Sequence, residues 1–128
     1  MPLEIQIQKQ AGNQSVGPVT FKLIGSLDTA TAPQLERELA PELAGAVQDI
    51  VFDLAQLKFI SSAGLRVFAM ARKQLRARGG QASFVNLQPQ IQEVFEIIKS
   101  LPGVALFTDL AEFDAYLAKR QHSYEENK

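Results

Sequence analysis

The sequence has no cysteine, no long apolar run and no signal-peptide pattern. Without cysteine the chain has no disulfide, no thiolate metal site and no cysteine nucleophile, which fits a reducing compartment. No stretch approaches the roughly 20 apolar residues of a membrane-spanning helix, and residues 1–6 lack the basic start and apolar run of a signal peptide. These absences predict a cytoplasmic protein with no direct membrane insertion.

A strong charge of one sign is also missing. Thirteen lysine and arginine residues face 14 aspartate and glutamate residues, a formal net charge of -1. Because no field of the whole protein would attract DNA, RNA or an anionic membrane, we expect no nucleic-acid partner. Any partner has to be recognised by a local surface.

The length and composition fit one domain. At 128 residues, 46% of them apolar, the chain is the size of a compact α/β domain with one core. We place the domain at residues 1–120 and a frayed polar tail at residues 121–128.

Apolar spacing predicts a mixed sheet. Ile5 and Ile7 alternate with glutamines, which is typical of an exposed or edge strand, and residues 19–24 form a second strand joined to it by a hairpin. Residues 49–54 are a nearly continuous apolar run, typical of a central strand covered on both faces. Residues 82–85 follow as a strand parallel to it, and Leu106-Phe107 is a further candidate strand.

Four segments have helical spacing. The first begins near Thr31 and Pro33 and stops at Gly45, and Pro41 is expected to kink it or end it early. In the last helix Asp109 and Glu112 resemble a capping arrangement. The second to fourth helices carry their apolar positions within residues 65–76, 89–98 and 110–117.

Two adjacent serines stand at the turn between the central strand and the second helix. A helix start presents unpaired N–H groups and the positive end of the helix dipole, so a phosphate on Ser62 would be held there without unfolding the chain. Serine is also a common helix cap. The two roles are compatible if Ser61 caps the helix and Ser62 faces solvent.

Residues 53–65, Asp-Leu-Ala-Gln-Leu-Lys-Phe-Ile-Ser-Ser-Ala-Gly-Leu, closely resemble the signature of STAS domains, especially of bacterial anti-sigma-factor antagonists. That signature is a strand, an Asp-Ser-Ser/Thr-Gly-Leu turn and a helix. The resemblance extends to residues 25–28, 79–80 and 84–87 and covers about residues 5–118. It implies the α/β STAS fold, a mixed four- to five-stranded β-sheet with about four α-helices mainly on one face.

The resemblance also implies a site. The family's phosphoacceptor serine corresponds to Ser62, while Ser61 stands in place of the family's aspartate and Ala63 in place of its second serine or threonine. The partner-binding residues implied in this way are Asp28, Ser61, Ser62, Ala63, Gly64, Leu65 and Arg66.

Asp28 and the basic side of the second helix each have a plain structural alternative to partner binding. Asp28 is also suited to an ordinary turn or near-cap position. The basic side of the second helix is either a solvated face with well-placed cations or a docking face for an acidic partner. It carries Arg66, Arg72, Lys73, Arg76 and Arg78.

The function implied by the resemblance is a partner switch with no cofactor of its own. The unphosphorylated form would bind an anti-sigma factor that is also a serine kinase of the histidine-kinase-like ATPase fold. That kinase would use ATP and Mg²⁺ to phosphorylate Ser62, which releases it, and a PP2C-type serine phosphatase would reset the switch. The alternative is a STAS subunit of a membrane lipid-transport complex of the ABC type.

An enzymatic role fits the sequence poorly. A hydrolase with Ser62 as nucleophile would need a histidine, and the only one, His122, falls in the predicted tail. The flanks of Ser62 do not read Gly-x-Ser-x-Gly, and neither a phosphate-cradling glycine-rich loop nor a metal-ligand cluster is visible. We therefore expect a protein that is not an enzyme.

Overall fold

A computed structural model describes residues 2–9, 17–100 and 110–126. These segments contain four strands and four helices, which confirms the predicted α/β fold class. Their bounds are β1 Leu3–Lys9, β2 Val19–Leu27, α1 Ala32–Ala44, β3 Asp49–Ile60, α2 Ser62–Ala77, β4 Gln81–Val85, α3 Pro89–Ser100 and α4 Leu110–Glu126.

The four strands form one mixed sheet in the order β1-β2-β3-β4. β1 pairs antiparallel with β2, whereas β2 with β3 and β3 with β4 are parallel. The predicted hairpin, the edge position of the first strand and the interior position of β3 are therefore confirmed. The candidate strand at Leu106-Phe107 lies outside the described residues.

One face of β3 is covered, not both. Ile50, Phe52 and Leu54 are fully buried, while Val51 and Asp53 between them keep part of their surface in solvent. The prediction of a strand covered on both faces is wrong because Asp53 is an ionisable residue, and burying its charge without a partner would be costly. The helices therefore pack against the face that carries the fully buried side chains.

An aromatic cluster fixes α2 on the sheet. Phe52 in β3 has ring-centroid distances of 5.9 Å to Phe21 in β2 and 5.2 Å to Phe84 in β4. Phe68 of α2 packs 4.9 Å from both Phe52 and Phe84. Because aromatic contacts of this kind add to the free energy of burial, they fix the helix axis and so place the start of α2 at the end of β3.

The first helix begins and ends where its signals indicate. Thr31 is the N-cap residue and Gly45 the C-cap residue, and the helix continues through Pro41 to Ala44. The expectation that Pro41 ends the helix early is wrong. Leu39 and Leu43 are buried on either side of the exposed Pro41, so packing holds the last turn that the missing N–H would otherwise weaken.

The last helix extends beyond the predicted domain boundary at residue 120. Phe113 and Leu117 are buried as their spacing predicts, but the helix goes on to Glu126 and Gln121 is 3% exposed. The frayed tail predicted from residue 121 is wrong for Gln121 and His122, which both lie within α4. No helix in the described part of the chain combines the length and apolar character needed to cross a membrane.

Candidate functional site

The strand-to-helix turn is built where two parallel strands end. β3 ends at Ile60, Ser61 is the N-cap residue and α2 begins at Ser62. The Ser61 N–H donates to the carbonyl oxygen of Leu27 at the end of β2 (2.9 Å), and the Ser61 carbonyl accepts the N–H of Leu65 (3.0 Å). The first bond ties the turn to the end of β2, and the second closes the first turn of α2.

Gly64 allows this close approach. A Cβ atom at residue 64 would lie 2.6 Å from Leu27 Cγ and 3.0 Å from Ile60 Cγ1. Both neighbours are fully buried and have little room to move. The turn therefore needs glycine because the first turn of α2 packs directly on the ends of the strands.

Ser61 does not cap the helix through its side chain. Its Oγ is buried and finds no hydrogen-bond partner among the residues that the structure describes. The interpretation of Ser61 as the capping side chain is therefore wrong.

Ser62 does not face solvent either. It is 9% exposed, and both of its donors bond to one carboxylate of α4. The Ser62 N–H donates to Asp114 Oδ1 (2.7 Å) and the Ser62 hydroxyl donates to Asp114 Oδ2 (2.8 Å). Asp114 thus supplies the cap that Ser61 does not, at the end of the helix dipole that favours negative charge.

A second residue of α4 binds the end of β3. Gln121 Oε1 accepts the Ile60 N–H (2.8 Å), and Gln121 Nε2 donates to the carbonyl oxygens of Ile60 (2.7 Å) and Leu117 (3.1 Å). Our sequence reasoning missed both Asp114 and Gln121. For Gln121 the spacing Phe113, Leu117, Gln121 was the available signal, since it places a polar residue on the buried stripe of a helix. This spacing gives no signal for Asp114.

Asp28 organises the loop between β2 and α1. Its Oδ1 accepts the N–H groups of Ala30 (3.0 Å) and Thr31 (3.0 Å), while Thr31 Oγ1 accepts the Asp28 N–H (2.9 Å) and donates to the Ser26 carbonyl (2.8 Å). The turn role is therefore present in the structure. Asp28 directly follows Leu27, whose carbonyl binds Ser61, so the structure brings the Asp28 loop beside the strand-to-helix turn.

The exposed part of the site is small. Ala63 and Leu65 are partly exposed and Arg66 is exposed, whereas Gly64 is buried and α4 covers Ser62. Further along α2 the side chains of Arg72, Lys73 and Arg76 are exposed.

The chemistry of the turn is that of a hydroxyl held by a carboxylate. The acceptor of the Ser62 hydroxyl proton is Asp114 and not a histidine. Within the described ranges no group of three or more histidine, aspartate or glutamate side chains is placed to hold a metal ion. A hydroxyl at a helix start can accept a phosphoryl group if α4 uncovers it.

Comparison with known proteins identifies the family. The model of the STAS domain matches residues 4–113. Among the curated relatives, BtrV of Bordetella bronchiseptica, which is named as an anti-sigma factor antagonist, is 45% identical over 75 residues. That alignment covers 59% of this chain and 65% of BtrV. The anti-sigma-B factor antagonist of Bacillus subtilis is 29% identical over 84 residues, covering 66% of this chain and 76% of the relative.

Solved structures share the fold. SpoIIAA, an anti-sigma factor antagonist, superposes in its unphosphorylated form with a TM-score of 0.60 and 23% identity, over 73% of this chain and 83% of SpoIIAA. An anti-sigma factor antagonist from Mycobacterium paratuberculosis gives a TM-score of 0.57 and 21% identity, over 78% of this chain and 83% of the other. The turn, the mixed sheet and the match over residues 4–113 lead to one conclusion: the chain belongs to the STAS-domain family.

Proposed function

We propose that this protein is an anti-sigma-factor antagonist that works as a partner switch. In its unphosphorylated form it binds an anti-sigma factor that is also a serine kinase, and phosphorylation of Ser62 releases that partner. The observation that carries the proposal is the place of the Ser62 hydroxyl, on the first residue of α2 at the end of an interior strand. Two curated relatives named as antagonists of anti-sigma factors support it.

The surface around Ser62 suits a contact that one phosphate can break. Leu65 offers apolar area and Arg66 a cation beside the turn. A phosphoserine carries about -1.5 to -2 charges, and placing that charge in an interface costs a few kcal/mol through desolvation and like-charge repulsion. Because about 1.4 kcal/mol changes affinity tenfold, one phosphate is enough to release a partner.

The remaining parts of the switch lie in other proteins. The kinase, of the histidine-kinase-like ATPase fold, supplies ATP and Mg²⁺, and a PP2C-type phosphatase restores the Ser62 hydroxyl. In this proposal the chain itself catalyses nothing, needs no cofactor and acts in the cytoplasm.

Affinity capture from the native lysate tests the proposal. The baits are the wild-type protein, Ser62→Ala, Ser62→Asp and the control Gln74→Glu, and mass spectrometry identifies what each retains. Gln74→Glu adds one negative charge to the exposed side of the same helix, about 18 Å further along at 1.5 Å per residue. We expect a serine kinase to bind Ser62→Ala and Gln74→Glu but to bind Ser62→Asp at least about tenfold more weakly.

Two results would contradict this function. Equal retention of the kinase by every bait, and by wild-type protein phosphorylated at Ser62, would mean that Ser62 controls no partner. Retention of one membrane ATPase by all four baits would instead indicate a transport-complex subunit in which Ser62 is only part of the helix start.

A further inference from the structure

The residue proposed to receive a phosphate is covered by the chain's own last helix. Ser62 is 9% exposed, and its hydroxyl is already committed to Asp114 Oδ2 at 2.8 Å. A kinase must bring the γ-phosphorus of ATP in line with Ser62 Oγ. In the structure the hydroxyl is instead directed at Asp114 of α4, and little of Ser62 is open to solvent.

Two contacts, about two helical turns apart, hold α4 over Ser62. Asp114 holds the start of α2, and Gln121 holds both backbone groups of Ile60 at the end of β3. Phe113, next to the first contact, and Leu117, between the two, are buried. The face of α4 that carries residues 113, 114, 117 and 121 therefore lies across the junction of β3 and α2.

The two residues that hold α4 at this site lie outside the part of the chain that the family model matches. The STAS match ends at residue 113, so Asp114 and Gln121 both lie beyond it.

Phosphorylation reverses the chemistry of the contact with Asp114. The Oγ–P bond forms as the bond from the γ-phosphorus to the bridging oxygen of ADP breaks, and the hydroxyl proton passes to a base of the kinase. Ser62 then has no O–H left to donate to Asp114 Oδ2. It presents acceptor oxygens with about -1.5 to -2 charges to a carboxylate within hydrogen-bond reach.

The phosphate also competes with Asp114 for the helix start. The Ser62 N–H and the positive end of the α2 dipole now favour the phosphate, which carries more negative charge than the carboxylate. Asp114 thus loses its hydrogen bond from the hydroxyl, its place at the helix start and its electrostatic advantage together.

We propose that α4 is a lid on Ser62, closed by Asp114 and Gln121, which opens for the kinase and stays open once Ser62 is phosphorylated. This inference rests on the proposed role of Ser62 as phosphoacceptor and adds a conformational step to it. Phosphorylation then both changes the charge of the turn and uncovers the end of β3. The lid also slows phosphorylation of the free protein, because the hydroxyl is reachable only in the open state.

The test measures the lid without any kinase. Protein with phosphoserine incorporated at residue 62 during synthesis is compared with unmodified protein by hydrogen exchange. The amides read are Ser62, which bonds to Asp114, and Ile60, which bonds to Gln121. The amide of Phe52, in the part of β3 that pairs with both β2 and β4, reports global unfolding. We expect phosphoserine to speed exchange at Ile60 by about tenfold or more, within the usual range of coupling between two sites, with Phe52 unchanged.

Variants of Asp114 separate the contact from its charge. Asp114→Ala removes the contact, so it should speed Ile60 exchange about tenfold in the unmodified protein. Asp114→Asn keeps an oxygen for the Ser62 N–H and carries no charge, so the effect of phosphoserine should shrink to less than about threefold. Lys119→Gln, which changes one charge on the exposed side of the same helix, is the control and should behave as wild type.

The outcomes distinguish the proposed α4 lid from the proposed partner switch at Ser62. Unchanged Ile60 exchange in the phosphoserine protein, or an equal effect of phosphoserine with Asp114→Asn, would overturn the lid and leave the phosphoacceptor role untouched. Faster Ile60 exchange in a protein whose captured partners ignore Ser62 would support the lid and defeat the partner switch.

Discussion

At the scale of single residues, the helix start of α2 shows what local sequence can and cannot predict. The two serines indicated a helix start, and α2 does begin there. The identity of the capping group could not follow from neighbouring residues, because Asp114 is 52 positions further along the chain. A serine does occupy the N-cap position, but the capping hydrogen bond comes from a tertiary contact with Asp114.

The substitution Gly64→Ala tests how tightly this turn is packed. The new Cβ would lie 2.6 Å from Leu27 Cγ, which forces buried groups to shift. We expect the overpacking to lower the free energy of unfolding by about 1–3 kcal/mol. The higher helix propensity of alanine offsets up to about 1 kcal/mol of this loss. Urea unfolding of Gly64→Ala and wild type measures the net change in the free energy of unfolding.

Gly45→Ala is the matched control for this substitution. Its Cβ would meet Pro41 O at 3.4 Å, an ordinary contact. A loss for Gly64→Ala no larger than that for Gly45→Ala would contradict the close packing of α2 on the strands.

At the scale of elements, apolar spacing predicted most helices and strands because each buries one side only. The leucines of α1 and the alternation of β1 follow directly from that asymmetry. Elements differ from these predictions where burial does not follow residue type. Leu43 keeps α1 helical past Pro41, and Gln121 is buried although it is polar, because its amide replaces water at the backbone of Ile60.

The end of α1 depends on an arginine of another element. The last turn of α1 has no basic residue. Arg78 at the end of α2 instead donates from Nη1 to the carbonyls of Gly45 (3.1 Å) and Val47 (3.0 Å), and from Nη2 to the carbonyl of Leu43. One guanidinium therefore satisfies three carbonyl groups at and after the end of α1.

We expect Arg78→Ala to lower the free energy of unfolding by about 1–3 kcal/mol, because hydrogen bonds from a charged donor are lost at a partly buried site. Arg78→Lys should recover only part of this loss, since an ammonium lacks the planar fork. Arg72→Ala, on the exposed middle of α2, serves as the control, with a change within about 0.5 kcal/mol. Thermal or urea denaturation that ranks Arg72→Ala with Arg78→Ala would refute the role of the guanidinium.

At the scale of the whole molecule, one hydrophobic core joins the elements of the sheet and the helices. Buried residues of seven elements form a single cluster, and Phe84 of β4 packs against it. The cluster includes Leu3 at one end of the described chain and Leu117 of α4 near the other. A small domain with one continuous core is expected to unfold in a single cooperative transition.

The tyrosines make this cooperativity measurable. The chain has no tryptophan and two tyrosines, Tyr116 and Tyr124, which both belong to α4. Tyrosine fluorescence therefore reports α4 alone, while far-ultraviolet circular dichroism reports all helices and strands. For the unmodified protein we expect both signals to give the same urea midpoint, because the lid is closed and shares the core with the rest of the molecule.

A substitution in α1 tests the same cooperativity from outside α4. Leu39 is fully buried in α1, so Leu39→Ala should lower the free energy of unfolding by about 2–5 kcal/mol. Both signals should shift together, whereas Glu38→Ala on the exposed side should change the free energy by no more than about 0.5 kcal/mol. A tyrosine transition that ignores Leu39→Ala would make α4 a separately folding unit. A tyrosine signal that changes before urea is added, in the phosphoserine protein only, would instead mean that α4 leaves the common core when Ser62 is phosphorylated.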